Sequence, residues 1–271
     1  MPPGERDTRQ FDATYARFAD QLYASIRGEA FGEDIGQNSW TTAEEIRRFC
    51  EWLALDRSSH LLDIASGAGG PDLYIAKVTG CRITGVDVFE SATRLANERA
   101  KAEGVADRVR FVCADARTPL PLESGEYDAV LCIDAINHFF ERAGLFREFA
   151  RLLRPGGRAL FTNAVTLTGL LRKEEATARS YGMGEFVFTP AGHDERLLRD
   201  AGLEVVRVED VTANPARVAR AWVGARARRA SELDRIEGAP QNAEMQKFLE
   251  SVATLAHERR LSRFAYLARK P

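Results

Sequence analysis

The feature that most constrains this chain is the run Leu61-Leu62-Asp63-Ile64-Ala65-Ser66-Gly67-Ala68-Gly69-Gly70. Apolar residues flank one acid, the chain turns to small residues, and Asp72-Leu73-Tyr74-Ile75-Ala76 then takes up a helical pattern. The run reads as a buried strand, a tight turn and the first turn of a helix. Glycines at such a turn let the backbone approach a ligand where a Cβ would collide with it. The helix start offers unpaired N–H groups beside the bound molecule. This arrangement suits a nucleotide-like ligand, and the surrounding residues must say which one.

Strand and helix patterns alternate along the middle of the chain. Strands are expected at 61–65, 83–88, 109–113, 129–133 and 158–162, with helices at 72–78, 91–103 and 140–153. Arg154-Pro155-Gly156-Gly157 reads as a sharp stop ahead of the fifth strand. Such alternation predicts an α/β fold, a mainly parallel sheet covered by helices on both faces. Upstream, Phe11, Tyr15, Phe18, Leu22 and Ile26 recur at helical spacing over 8–27. Thr41-Thr42 then caps a helix running to about residue 55, with Glu44 and Glu45 in its first turn. Downstream, Thr189-Pro190 reads as a capped helix start and Ala201-Gly202 as its end. A sixth strand at 203–208, two helices at 215–233 and 242–257 and a closing strand at 264–268 complete the chain. The division expected is one domain over 1–271. It comprises an N-terminal helical lid (1–56), a core (57–163), cap insertions (164–190 and 212–260) and a closing strand (261–271).

The turn chemistry discriminates among ligands. A dinucleotide site calls for GxGxxG after its first strand, and Asp72 stands where the third glycine belongs. Pro71 removes an N–H that a pyrophosphate would use. Asp63 would repel a pyrophosphate and would welcome the ammonium of an amino-acid moiety. Asp87, ending the second strand, can accept both hydroxyls of a ribose. Asp115, after the third strand, can accept the amino group of an adenine, and the fourth strand runs into Asp134-Ala135-Ile136-Asn137-His138. In a parallel sheet all these strand ends share the edge at which ligands bind.

These stretches together resemble the class I S-adenosylmethionine-dependent methyltransferases of the small-molecule type. Residues 61–70 match that family's glycine-rich motif, Gly85-Val86-Asp87-Val88 its ribose motif and Ala114-Asp115-Ala116 its adenine motif. Tyr127-Asp128-Ala129-Val130 resembles the start of its fourth strand, and Leu152-Leu153-Arg154-Pro155-Gly156-Gly157 the turn before its fifth. The helices outside the core are similar to those of phosphoethanolamine, sarcosine–dimethylglycine and sugar O-methyltransferases. The resemblance implies a Rossmann-like seven-stranded sheet, a last strand antiparallel between two neighbours, a helical cap, and S-adenosylmethionine as cofactor. It implies Asp63, Ala65, Gly67, Asp87, Val88, Asp115, Ala116 and Asp134 as cofactor-binding residues, with Gln37 and Trp40 covering the cofactor from the N-terminal side. Ala65 departs from the family, which usually has glycine there.

The implied reaction moves the sulfonium methyl to an N or O nucleophile of a small-molecule acceptor. His138 is the expected general base, oriented by Asn137, and Met183, Phe186 and Phe188 are expected in the acceptor pocket. His60, His193 and His257 are expected to be structural or exposed. A net charge of −2 excludes an overall basic field for nucleic acid. The run Arg217, Arg220, Arg226, Arg228 and Arg229 is offset by Glu232, Asp234 and Glu237 and reads as a solvated helix. The four cysteines, Cys50, Cys81, Cys113 and Cys132, show no metal or redox spacing and read as buried small hydrophobes, so no metal site is expected. No apolar run is long enough to span a bilayer and no signal peptide opens the chain, so the expected setting is cytoplasmic, without membrane or nucleic-acid partner. Two alternatives stand beside the transferase: a non-catalytic S-adenosylmethionine sensor or partner protein, and an NAD-dependent oxidoreductase disfavoured by Asp63 and Asp72. Neither the acceptor nor the oligomeric state is legible.

Overall fold

The computed structural model describes residues 15, 17, 18, 20–180 and 186–271. Residues 8–14, 16 and 19 of the helix expected over 8–27 lie outside them. The described part opens with α1 (Gln21–Phe31), whose Asp20 caps it by accepting from the Leu22 N–H at 2.8 Å. In α2 (Ala43–Leu53), Thr42 is the cap and accepts from the Glu45 N–H. Then follow β1 (His60–Ile64), α3 (Gly70–Thr79), β2 (Arg82–Asp87), α4 (Glu90–Ala102), β3 (Val109–Cys113) and β4 (Tyr127–Cys132). After α5 (Arg142–Leu152) come β5 (Leu153–Leu167), α6 (Lys173–Ser180), the two-residue β6 (Thr189–Pro190), α7 (His193–Asp200) and β7 (Glu204–Asp210). The cap helices α8 (Ala213–Ala227), α9 (Ala230–Glu237) and α10 (Ala239–His257) lead into β8 (Leu261–Arg269).

The sheet order is β3-β2-β1-β4-β5-β8-β7, with β6 pairing on β5 off that path, so eight strands stand where seven were expected. Pairing is parallel from β3 through β5, and β8 runs antiparallel to both β5 and β7. The chain leaves β1 outward to β2 and β3 and returns to β4 on its other side. This puts the topological switch point between β1 and β4, where an open α/β sheet makes its ligand crevice. Successive strand residues face opposite sides. Leu61, Ile83 and Val109 join α2, α3 and α4 in one core, while Leu62, Val86 and Val130 join α5 and α7 in the other. A third cluster, with Phe31, Trp40, Val218 and Phe248, binds α1, α8 and α10 into a cap. Among the described residues no helix is long and apolar enough to cross a membrane.

Several local expectations are corrected. Leu153 pairs with Tyr127, and the Gly156 and Lys270 N–H groups donate to the Lys270 and Gly157 carbonyls, so the Pro-Gly-Gly turn sits inside a long β5 instead of preceding it. Thr189 does not cap a helix, because its hydroxyl accepts from Arg142 and Asn163, and Gly192 with φ +82° takes the N-cap of α7. The first cap helix breaks after residue 227 into α8 and α9, so the cap has three described helices where two were expected. Arg226 is buried against Glu237 at 2.5 Å and Asn242 at 2.7 Å, and Arg228 and Arg229 both pair with Glu29. Three of the five arginines are therefore in ion pairs and Arg226 is not solvated, while Arg217 and Arg220 are exposed as expected. Cys113 is exposed, because it ends the outermost strand β3.

The turn after β1 carries backbone strain. Gly67 and Gly69 have φ of +55° and +73°, which glycine tolerates, but Ala65 also lies at φ +63°. A left-handed alanine costs about 1–2 kcal/mol, part of which glycine would give back as unfolded-state entropy. Ala65→Gly should therefore stabilise the protein by about 0.5–1 kcal/mol, read as a rise in the urea unfolding midpoint at constant slope.

Candidate active site

The parallel register brings the expected acids to one edge. Asp63 pairs across the sheet with Gly85 and Leu131, and Asp87 with Cys113, so the ends of β1 to β4 line up there. Asp87 directs its carboxylate at the glycine turn, accepting from the Gly67 N–H and from the Phe89 N–H at 2.9 Å each. A carboxylate held by backbone N–H groups at this strand end suits the diol of a ribose. The hydroxyl of Tyr15 stands 3.3 Å from where a Gly67 Cβ would be, covering the turn. Neighbouring glycines are needed by packing: a Cβ on Gly69 would come within 2.5 Å of the Phe111 ring, and one on Gly70 within 2.1 Å of the Gly36 carbonyl. That last contact seats the strap 33–37 over the start of α3.

Asp115 is held by Arg117 in a fork, with N···O distances from 2.5 to 3.0 Å. Val88 and Ala116 flank this corner as partly exposed residues. Gln37 is fully buried and serves the strap itself, its side-chain oxygen accepting from the Ile35 N–H at 2.9 Å. The Trp40 ring is 6.2 Å from both Trp222 and Phe248 within the cap cluster.

Asp134 lies at φ +51° beyond β4, and its carboxylate accepts from three donors on three other segments and faces a fourth, charged group. Trp40 N–H donates at 2.9 Å, Thr162 Oγ1 at 2.7 Å and Arg263 Nε at 2.7 Å, while its own backbone N–H donates back to Thr162. The fourth contribution is electrostatic, from Arg179. Arg263, fully buried on β8, also pairs with Glu45 of α2 at 2.7 Å and donates to Thr41 at 2.5 Å. Burial opposes its charge, and the two carboxylates overcome that, leaving the guanidinium above its ordinary value. Asp134 is thus an organising anchor for the strand-end loop.

Beyond that loop α6 packs on α10 beside the segment after β4, around a group of aromatic rings. Arg179 of α6 is 4% exposed, and its guanidinium sits 5.9 Å from the Trp40 ring centroid and 5.2 Å from those of Phe186 and Phe248. No described residue accepts a hydrogen bond from it, and burial pushes it down to about 10 against the attraction of Asp134. His138 closes a 3₁₀ turn (Ile136–His138), half-buried, its ring edge-on to Phe186 at 4.9 Å. Asn137 is buried with its side-chain oxygen unpartnered, and its carbonyl accepts from the Val187 N–H. Nearby, Asp194 receives Arg142 at 2.8 Å and Asn163 at 2.8 Å, tying α5, β5 and α7 together. Met183 lies outside the described residues.

The methyltransferase-domain family matches residues 62–161 of the chain. The 27-O-demethylrifamycin SV methyltransferase of Amycolatopsis mediterranei is 31% identical over 201 residues, covering 70% of this chain and 74% of that protein. The sarcosine/dimethylglycine N-methyltransferase of Halorhodospira halochloris is 30% identical over 246 residues, covering 86% and 82%. The chain belongs to the class I S-adenosylmethionine-dependent methyltransferases. Solved structures show the same fold. A cyclopropane synthase from Mycobacterium tuberculosis superposes with a TM-score of 0.78 at 17% identity, covering 99% of this chain and all of that one. A phosphoethanolamine N-methyltransferase from Haemonchus contortus, solved with S-adenosyl-L-methionine, gives 0.76 at 22%, covering the whole of this chain and 61% of that one.

As a methyltransferase the chain takes S-adenosylmethionine, and the nicotinamide alternative falls. The ribose acid Asp87, the glycine turn and Asp115 fit that molecule, since they present a diol acceptor, close backbone and an amino-group acceptor along one edge. Sequence reasoning missed Arg263, although a signal existed: it alternates with Leu261, Ala265 and Leu267 on an otherwise apolar strand face. It also missed Arg179, whose environment only the fold assembles. His60 is structural as expected, its Nε2 3.0 Å from Thr84 Oγ1 and its ring on Tyr127. Arg263→Met should cost this methyltransferase about 3–5 kcal/mol in equilibrium urea unfolding, because it strands two buried carboxylates.

Proposed function

We propose that this methyltransferase transfers the sulfonium methyl to a nitrogen or oxygen nucleophile of a small-molecule acceptor that carries an anionic group, with His138 as general base. The observation that carries this reading is Arg179. A buried guanidinium with no acceptor among the described residues is costly, and its three aromatic neighbours compensate only part of the lost hydration. A carboxylate or phosphate seated against it would receive charge-assisted hydrogen bonds in a fork. The named acceptors of two similar proteins, sarcosine/dimethylglycine and phosphoethanolamine, carry a carboxylate and a phosphate, which supports the same chemistry at Arg179.

When bound, S-adenosylmethionine supplies a methyl group on a positively charged sulfur. The chain's own residues then do the rest. Asp87 orients the ribose, the glycine turn sets the approach, and Asp134 with Arg263 locks the loop that carries His138. Holding acceptor and donor in line can remove roughly 7–11 kcal/mol of barrier. His138 takes the proton of the acceptor nucleophile, a task Asp134 is poorly placed for because its carboxylate is committed to Trp40, Thr162 and Arg263.

The test is transfer of label from S-adenosylmethionine to paired acceptors, each acid alongside its neutral ester or amide. The acids should be methylated, and equal turnover of the neutral partners would overturn the anionic-acceptor reading. Arg179→Met should lower kcat/KM for the acids by roughly 10- to 100-fold, the loss of a charged hydrogen bond of about 1.5–3 kcal/mol. His138→Ala should lower kcat by about 10²–10⁴-fold with donor affinity unchanged. A protein that binds the donor and methylates nothing in such a panel would be the non-catalytic alternative.

A further inference from the structure

Two acids of the glycine-rich turn stand face to face. Asp72, in the first turn of α3, is fully buried and Asp63 is 4% exposed. The two carboxyls interact directly, and Asp63 Oδ1 and both oxygens of Asp72 are buried with no donor to satisfy them among the described residues. The charged and titratable groups that face them are Asp87 at the end of β2, Cys132 on β4 and Cys81 ahead of β2. All are acids or thiols, and among the described residues neither Asp63 nor Asp72 has an ion pair with a basic side chain. Two touching carboxyls in such surroundings cannot both ionise. Burial and the neighbouring Asp72 push Asp63 well above the carboxylate range, and burial pushes Asp72 up to about 7. In the free protein the pair is therefore over-protonated for an acid meant to meet a cation.

We propose that Asp72 is a positioning residue for the methyl donor: through Asp63 it sets up a carboxyl pair that gives up one proton when the donor's α-ammonium arrives. The inference rests on placing Asp63 at the ammonium end of the cofactor. Below neutrality the free pair holds two protons. As the ammonium approaches, one O–H bond breaks, its proton leaves to solvent, and its electron pair stays on the carboxyl as the charge that faces the ammonium. The other proton remains shared between Asp63 and Asp72. Donor affinity should then fall as pH falls below about 7, approaching tenfold per pH unit, because protons and ammonium compete for the same pair.

The test is calorimetry of the whole protein at about pH 6 in two buffers of different ionisation heat, with three probes. S-adenosylmethionine and S-adenosylhomocysteine, which both carry the ammonium, should each release close to one proton. Methylthioadenosine, which lacks the amino-acid arm and the sulfonium, should release none. Because S-adenosylhomocysteine has no sulfonium, its release cannot come from repulsion of a protonated His138. In Asp72→Asn the neighbouring acid is gone and the amide donates to Asp63, which lowers it against the burial that remains, so release should diminish and the pH dependence of affinity should weaken. Binding of S-adenosylhomocysteine without release, equal release with methylthioadenosine, or undiminished release in Asp72→Asn would each overturn the proposal. If Asp72→Asn fails to fold, the three wild-type heats still decide. Absence of any S-adenosylmethionine binding would instead overturn the cofactor site, and this inference with it.

Discussion

The buried guanidinium of Arg263 ties together three distant parts of the chain. It sits on β8, the strand that enters the sheet last, and reaches both Glu45 on the second helix and Asp134 on the loop after β4. A charge taken out of water survives only where partners surround it, so this arginine demands that all three segments arrive together. Asp134 in turn accepts the Trp40 N–H, which brings the chain entering α2 onto the same point. The left-handed backbone at Asp134 is held by these contacts, and the 3₁₀ turn bearing His138 follows directly from it. Position of the expected base is therefore a consequence of a salt-bridge network whose other end lies outside the cofactor motifs.

Across the site the two halves use opposite chemistry. The donor half is built from backbone and acids: a strained turn, Asp63 and Asp72 beneath it, Asp87 and Asp115 along the edge. It suits a molecule rich in donors and positive charge. The proposed acceptor half is walled by aromatic rings around the guanidinium of Arg179. Opposite charges on the two sides of the transfer path orient two small molecules toward each other before any covalent change, which is the main service a methyl transfer needs from its protein.

Much of this was legible from residue order. The β–α alternation, the parallel core and the line of acids at strand ends depend on local periodicity and on turn residues, and those signals are carried by neighbours in sequence. The antiparallel placement of β8 was legible only through resemblance to a family. Misreadings cluster where a distant partner overrides a local rule. Thr189-Pro190 has the composition of a helix cap, yet Arg142 and Asn163 recruit its hydroxyl into a buried network. Pro155-Gly156-Gly157 has the composition of a stop, yet β4 and β8 hold it within one strand. Arg226 looked solvated because its partners, Glu237 and Asn242, lie on the following two helices.

The sequence by itself determined the fold class and the donor, because a glycine turn, a ribose acid and an adenine acid at fixed strand ends are short-range features that a parallel sheet aligns automatically. Tertiary structure alone decided what those acids are. It showed Asp63 sharing its burial with Asp72, Asp134 bound into the Arg263 network, and Arg179 caged by Trp40, Phe186 and Phe248. The physical reason is that the state of a charged side chain depends on what surrounds it through space. Residue type at a position carries none of that.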